Sequence, residues 1–118
     1  EFERLFGESA NTPDALSKQV EVSISKGWII VRKGSHTSIS LPDGELHFNG
    51  TGNSGMAKGG SGDVLTGVIA SLIAQGMSPQ QAAISGVFYH GLAGDHAAVD
   101  LGEMNMLASD ICDRLFVV

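Results

Sequence analysis

Hydrophobic positions in the first part of the chain repeat with helical spacing. The three apolar residues of segment 2–6 lie three or four positions apart or side by side, which predicts a short helix. Either Asn11 or Thr12 can cap a second helix, because both side chains accept hydrogen bonds from first-turn N–H groups. We expect this helix to run to Lys26, with Gly27 as its C-cap.

The pattern then changes to the spacing of strands. Residues 28–31 form a short apolar run that predicts a buried strand. Residues 37–41 alternate, with the isoleucine and leucine on one face and the serines on the other. The Pro-Asp-Gly sequence at 42–44 favours a turn, and alternation resumes over residues 45–49. These features together predict a β-hairpin.

Helical spacing returns in the second half. Residues 64–75 are apolar nearly all round, so we expect a buried helix that ends at Gly76. Ser78 predicts the start of another helix, with proline at its first position. Residues 107–116 predict a last, amphipathic helix. From residue 28 onward, the predicted order is therefore strands first and then helices.

Composition and charge exclude several classes of protein. Of the 118 residues, 42% are hydrophobic and 17% charged, as in ordinary globular proteins. The formal net charge of −6 argues against nucleic-acid or anionic membrane surfaces, and the apolar runs fall short of the ~20 residues needed to span a bilayer. The single cysteine, Cys112, fits a reducing compartment, so we expect a cytoplasmic protein. Because the chain opens without an initiator methionine, we also expect a piece of a longer protein.

The segment Gly59–Asp63, just ahead of the predicted helix 64–75, is the strongest candidate for chemistry. Glycines allow backbone N–H groups to approach an anion, and a helix N-terminus attracts negative charge. Gly60, Ser61 and Gly62 therefore predict a phosphate site. A carboxylate would repel phosphate, so Asp63 suits a base acting on a neighbouring hydroxyl better than a phosphate ligand. The alternative is an ordinary helix cap made by Ser61 or Asp63.

The segment Gly50–Gly55 formally matches the dinucleotide pattern G-x-G-x-x-G. That pattern needs a helix directly behind it and an acidic residue about 20 positions later, a place that falls near Gln75. We therefore do not interpret it as a dinucleotide fingerprint. The phosphate-binding P-loop also fails, because no Gly-Lys-Ser/Thr follows the glycines.

Two further groups of residues admit two interpretations each. The segment from Lys33 to Thr37 is either a solvated β-turn or a loop whose N–H groups and threonine contact a nucleotide. His90, Asp95 and His96 suggest a metal site, but the two histidines do not share a helix face. We expect His90 to be a packed or hydrogen-bonded helix residue, with Asp95 and His96 near a helix end, and we predict no protein-held metal.

Five short motifs in one order carry a family resemblance. They are Lys33-Gly34-x-x-Thr37, Asn49-x-Thr51-Gly52-Asn53-x-Gly55-Met56-Ala57, Gly60-Ser61-Gly62-Asp63-Val64-Leu65-x-Gly67, His90-Gly91-Leu92-Ala93-Gly94-Asp95 and Ala108-Ser109-Asp110. The chain resembles the ADP- or ATP-dependent NAD(P)H-hydrate dehydratases, relatives of ribokinase-like sugar kinases. The family fold is a three-layer α/β/α domain more than twice this length. The resemblance thus implies that residues 1–118 are the C-terminal portion of one such domain, inactive without the N-terminal portion.

The resemblance also implies a reaction and its participants. The family phosphorylates the hydroxyl of hydrated NADH or NADPH with ADP or ATP, and loss of phosphate restores the ring. Asp63 would be the base, with Asn53 beside it on the substrate side. The nucleotide would be contacted by the following residues: Lys33, Gly34, Ser35, His36, Thr37 and Gly62. Mg²⁺ would bridge the phosphates, and family members are often homo-oligomers.

The motif form Gly-Ser-Gly-Asp-Val-Leu-Thr-Gly is similar to the bacterial branch, which typically uses ADP. Two other functions remain open from the sequence. One is a small-molecule kinase of the same fold, similar to hydroxyethylthiazole kinase, which would release a stable phosphorylated product. The other is a non-catalytic module that binds nucleotide or assembles with partners.

Overall fold

The computed structural model describes residues 1–116 and divides into two compact units, Glu1–Phe48 and a second that begins at Asn49. The first unit contains helices α1 (Phe2–Phe6) and α2 (Thr12–Lys26), and strands β1 (Ile30–Arg32), β2 (Ser38–Ser40) and β3 (Leu46–Phe48). The second contains a 3₁₀ turn (Ser54–Met56) and helices α3 (Ser61–Ala74), α4 (Pro79–Leu101) and α5 (Ala108–Cys112). The α/β expectation is confirmed.

Helix α2 begins and ends where its local chemistry predicts. The Asn11 side chain accepts a hydrogen bond from the Asp14 N–H at 2.9 Å, so Asn11, not Thr12, is the N-cap. Gly27 ends the helix in the left-handed conformation, with φ at 70°. These contacts join residues at most four positions apart, which is why the sequence predicts them well.

The three strands form an antiparallel sheet in the order β1-β2-β3. Ile39 pairs with His47 across the predicted hairpin, which is confirmed. The prediction of a buried strand at 28–31 is wrong in part. The strand begins at Ile30, its residues are half-buried, and Trp28 is half exposed, because β1 is an edge strand of this sheet.

Polar side chains join α2 to the central strand. Gln19 is fully buried, and its amide donates to the carbonyl oxygen of Ile30 at 3.2 Å while accepting from the Ser38 hydroxyl at 3.0 Å. One turn later, the Ser23 and Ser40 hydroxyl oxygens lie 2.5 Å apart. The serine face of β2 is therefore buried as completely as Ile39, because α2 supplies hydrogen-bond partners for it.

The core of the second unit lies among its three helices. One cluster contains Ala93, Ala97, Met106 and Ile111, and another contains Val68, Leu72 and Ala82. Half-buried Val64 and Leu115 pack against both clusters.

Helix α3 is less buried than its composition predicts. Ser61, Leu65, Val68 and Leu72 are buried, but Ile73 is 43% exposed. The expectation of an all-round buried helix is wrong for this chain, because α4 and α5 cover only one face of α3.

Two other predicted helix boundaries are also corrected. Helix α4 continues to Leu101, so Asp95 and His96 lie inside it instead of near its end. Helix α5 stops at Cys112, because the following N–H groups of Arg114 and Leu115 bond three residues back, in turns. Within residues 1–116, no helix has the length and apolarity required to cross a membrane.

Candidate functional site

Helix α3 begins at a glycine without any side-chain cap. Gly60 is the N-cap residue, in the left-handed conformation with φ at 89°, which glycine adopts without steric cost. Neither Ser61 nor Asp63 caps the helix, so that interpretation is wrong. The Ser61 N–H donates to the carbonyl oxygen of Lys58 at 3.2 Å. Within residues 1–116, the N–H groups of Gly60 and Gly62 have no acceptor. Unpaired N–H groups at a helix start favour binding of an anion.

Asp63 lies in the first turn of α3 and is exposed. Its carboxylate makes no hydrogen bond or ion pair with any residue in the described range. A carboxylate in this position is favoured by the helix dipole. Both of its oxygens are therefore available to a solute at the point where α3 begins.

The loop 49–57, between β3 and α3, is held against α4 along its length. The Thr51 hydroxyl donates to the carbonyl oxygen of Phe88 at 2.8 Å. Further along, the Asp95 carboxylate accepts from the Gly52 N–H at 3.0 Å and from Nδ2 of Asn53 at 2.9 Å. Oδ1 of Asn53 in turn accepts from the Gly55 N–H at 3.0 Å. Asn53, predicted on the substrate side, thus has its oxygen and one amide hydrogen engaged.

Two glycines of α4 make room for this loop. A Cβ built on Gly91 would lie 2.8 Å from the carbonyl carbon of Thr51, and one on Gly94 would overlap the side chain of Met56. Because both glycines lie on one face of the helix with Asp95, the backbone of the loop can approach α4 closely.

Sequence reasoning considered Asp95 only as a metal ligand and missed its contact with the loop 49–57. The pair Gly91 and Gly94, spaced three apart in a helical segment, was the available signal, since helical glycines with no backbone reason mark a close approach. Only the folded chain shows that the approaching segment is a loop whose Gly52 lies 43 positions before Asp95.

His90 is hydrogen-bonded, as predicted. Its Nε2 donates to the carbonyl oxygen of Ser61 at 3.0 Å, and the residue is 7% exposed. Within residues 1–116, no three candidate ligands among His, Cys, Asp and Glu come close enough together to hold a metal ion. The hydrogen bond from His90 to Ser61 links α4 to the start of α3.

The loop from Lys33 to Thr37 lies in the first unit and borders a cleft. Residues 33–36 are exposed, as the solvated-turn interpretation requires. The same loop nevertheless lines a cleft of about 560 Å³. The other lining residues are Thr12, Leu16, Arg32, Ser38 and Phe48. Apolar walls with a few polar groups and two cationic side chains suit a nucleotide, so both interpretations are compatible with this geometry.

The dinucleotide pattern is not supported by the backbone. Gly55 lies within the 3₁₀ turn Ser54–Met56, and α3 begins only at Ser61. A Rossmann phosphate loop leads directly into its helix. Of the glycines at 50–55, Gly52 instead contacts α4, where its N–H donates to Asp95.

Comparisons with known proteins agree with the motifs. A family model described as NAD(P)H-hydrate dehydratase matches residues 1–116. The bifunctional NAD(P)H-hydrate repair enzyme Nnr of Moorella thermoacetica is 43% identical over 98% of this chain and 22% of its own length. The ADP-dependent (S)-NAD(P)H-hydrate dehydratase of Bacillus subtilis is 34% identical over 98% of this chain and 42% of its length.

Solved structures show the same fold. The B. subtilis ADP/ATP-dependent NAD(P)H-hydrate dehydratase, co-crystallized with ATP/Mg²⁺, has a TM-score of 0.81 and 32% identity over 87% of this chain and 37% of that one. A ribokinase-like superfamily protein from Enterococcus faecalis has a TM-score of 0.75 and 34% identity over 97% of this chain and 39% of that one. The ribokinase-like fold expected from the motifs is confirmed.

The chain spans about a fifth of the length of the M. thermoacetica enzyme and about two fifths of the length of the B. subtilis dehydratase. The match nevertheless extends over nearly all of the present sequence and includes the loop 49–57 and the start of α3. The chain therefore belongs to the NAD(P)H-hydrate dehydratase family.

Proposed function

We propose that this chain is the C-terminal portion of a dehydratase domain and that the full-length protein converts hydrated NADH or NADPH back to the reduced cofactor with ADP. The observation that carries the proposal is the start of α3. There, the N–H groups of Gly60 and Gly62, which have no acceptor within residues 1–116, lie next to the unpaired carboxylate of Asp63. A phosphoryl group and a hydroxyl that must lose a proton need those two kinds of group side by side.

In the proposed reaction, Asp63 accepts the proton of the ring hydroxyl. The hydroxyl oxygen attacks the terminal phosphoryl group of the nucleotide, and the bond from that phosphorus to the nucleotide breaks. The N–H groups of Gly60 and Gly62 stabilise the charge on the transferred group. Ser61 can join only by sharing the hydrogen that it donates to Lys58. The bond between the ring carbon and the phosphate oxygen then breaks, the neighbouring ring carbon loses a proton to water, and free phosphate leaves as the double bond of the reduced cofactor forms.

The loop from Lys33 to Thr37 is proposed to bind the nucleotide. Its exposed N–H groups and the Lys33 ammonium suit phosphate oxygens, and Thr37 adds a hydroxyl. The bordering cleft of about 560 Å³ offers space for a nucleoside. Gly34, Ser35 and His36 belong to this loop and are proposed to share its role. Gly62, at the start of α3, is proposed to bind a phosphate of the nucleotide.

Mg²⁺ is proposed as a companion of the nucleotide. Because residues 1–116 contain no cluster of three candidate ligands, the phosphates themselves would hold the ion, as is common for Mg²⁺. The ion would neutralise phosphate charge during transfer.

Asn53 is proposed to lie on the substrate side of the site, in the loop 49–57.

The single cysteine supports a reducing compartment, and we propose the cytoplasm. Exposed apolar side chains on the described helices, including Phe88 and Val99, support self-association into a homo-oligomer.

One assay tests the reaction. Full-length protein is mixed with hydrated NADH, Mg²⁺ and either ADP or ATP, and the return of NADH absorbance is followed. We expect absorbance to return with ADP and free phosphate to form in equal amount. A stable phosphorylated product without NADH would instead identify a small-molecule kinase. Nucleotide binding with unchanged substrate would identify a non-catalytic module.

A further inference from the structure

Asn53 and Asp95 form a hydrogen-bond network that joins the loop 49–57 to α4. Asp95 receives hydrogens from the Gly52 N–H and from the Asn53 amide, one on each carboxylate oxygen. Asn53 uses its own oxygen to accept from the Gly55 N–H. Three hydrogen bonds thus restrain residues 52–55, together with those that the turn Ser54–Met56 makes itself.

The chemistry of this set requires a carboxylate at position 95. Both of its partners are donors, so both oxygens must accept. An ionised acceptor also makes shorter and stronger hydrogen bonds than a neutral one. Asp95 is half-buried and, within the described residues, these two donors are the only hydrogen-bond partners of its carboxylate.

We propose that Asn53 and Asp95 are a positioning pair that holds residues 52–55 in the conformation that the substrate meets. The inference rests on the proposed function and refines it, since Asn53 then acts through its loop and not through its own amide. Close packing supports this role. Gly55 has no room for a Cβ, which would lie 2.7 Å from the carbonyl oxygen of Glu103, so the loop is confined on that side too.

The pair permits an exchange of side chains that keeps every hydrogen bond. In the double variant Asn53→Asp, Asp95→Asn, the new amide at 95 donates to the new carboxylate at 53. Its oxygen accepts from the Gly52 N–H, and the carboxylate at 53 still accepts from the Gly55 N–H. The net charge is unchanged. The single variant Asp95→Asn removes one acceptor and leaves two donors in conflict.

The experiment compares these variants in the full-length protein, with Asp100→Asn as the control. Asp100 lies on the same helix but pairs with Arg114 at 3.1 Å instead of the loop. We expect Asp95→Asn to lower kcat/KM for hydrated NADH about ten- to a hundredfold, the scale of a slightly misplaced group, while the KM for ADP stays unchanged. The double variant should recover most of this loss, and Asp100→Asn should behave like wild type.

Two results would overturn the proposal. One is a wild-type kcat/KM in Asp95→Asn. The other is a double variant that remains as impaired as the single one, which would mean that the Asn53 amide itself is needed. Hydrogen exchange of the Gly52 amide is a readout independent of activity, and it should accelerate in Asp95→Asn and slow again in the double variant. If wild-type protein shows no dehydratase activity, the proposed function fails, while the exchange rates still decide whether the pair positions the loop.

Discussion

Nε2 of His90 donates a hydrogen bond to the carbonyl oxygen of Ser61, 3.0 Å away, and so joins the middle of α4 to the first residue of α3. Because a carbonyl oxygen can only accept, Nε2 carries the hydrogen. Both residues are 7% exposed. The bond lies two residues before Asp63, so His90 helps to set where α3 begins.

Replacement of His90 should separate the shape of the ring from its hydrogen bond. His90→Phe keeps an aromatic ring but removes both ring nitrogens, and we expect a loss of at least about 1 kcal/mol in the free energy of unfolding, the net value of the hydrogen bond to Ser61. We also expect a lower kcat, because the first turn of α3 loses a support. The control is His90→Gln, whose amide can donate at the same place. Equal stability and kcat in the Phe variant and wild type would contradict this role.

Asp63→Asn should nearly abolish turnover without affecting the fold. The carboxylate makes no hydrogen bond or ion pair within residues 1–116, so its loss removes a base and only the small stabilisation by the helix dipole. We expect kcat to fall about a hundred- to ten-thousandfold, the usual contribution of a general base, while ADP binding measured by calorimetry persists. Asp113→Asn, at another exposed carboxylate, should retain full activity. Near-wild-type turnover in Asp63→Asn would rule out this residue as the base.

Lys33→Ala should weaken nucleotide binding selectively. The exposed ammonium borders the cleft of the first unit, where it can meet phosphate oxygens. We expect the Kd for ADP to rise about tenfold, equivalent to about 1.4 kcal/mol. Lys26→Ala, at the exposed end of α2 and away from the cleft lining, is the matched control. An unchanged Kd would favour the solvated-turn interpretation of this loop.

Two helical glycines should respond in opposite ways to alanine. Gly91→Ala places a methyl group 2.8 Å from the Thr51 backbone, and we expect a loss of about 1–3 kcal/mol of stability through overpacking. Gly67→Ala, in α3, meets nothing within 4 Å, and we expect a gain of about 0.5–1 kcal/mol from helix propensity. Urea denaturation measures both. A Gly91→Ala variant more stable than wild type would show that the loop 49–57 can shift at Thr51 to accommodate the methyl group.

Local chemistry made much of the fold predictable from the sequence. Gly27 and Ser78 are predictable as helix boundaries, and the start of α2 is predictable to within Asn11 or Thr12, because each cap acts on backbone groups three or four positions away. The hairpin with its Pro-Asp-Gly turn was predicted for the same reason. Asp63 can also be identified as a candidate site residue from the sequence, since the argument for it rests on its own neighbours, Gly60 to Gly62.

Packing between distant segments decided what the sequence left open. The exposed half of α3 and the half-buried edge strand β1 depend on which neighbours cover them, and composition does not report this.

The role of Asp95 shows the same difference between local chemistry, which the sequence reveals, and packing, which only the folded chain reveals. By itself, the sequence determined where helices start, where the hairpin turns and which carboxylate stands beside a glycine-rich helix start. Only the tertiary structure decided that Asp95 meets Asn53, 42 positions earlier, and that Gly91 makes room for Thr51. The physical reason is reach. A cap or turn is completed within a few residues, whereas such a contact exists only once the packing of the whole unit has brought the two segments together.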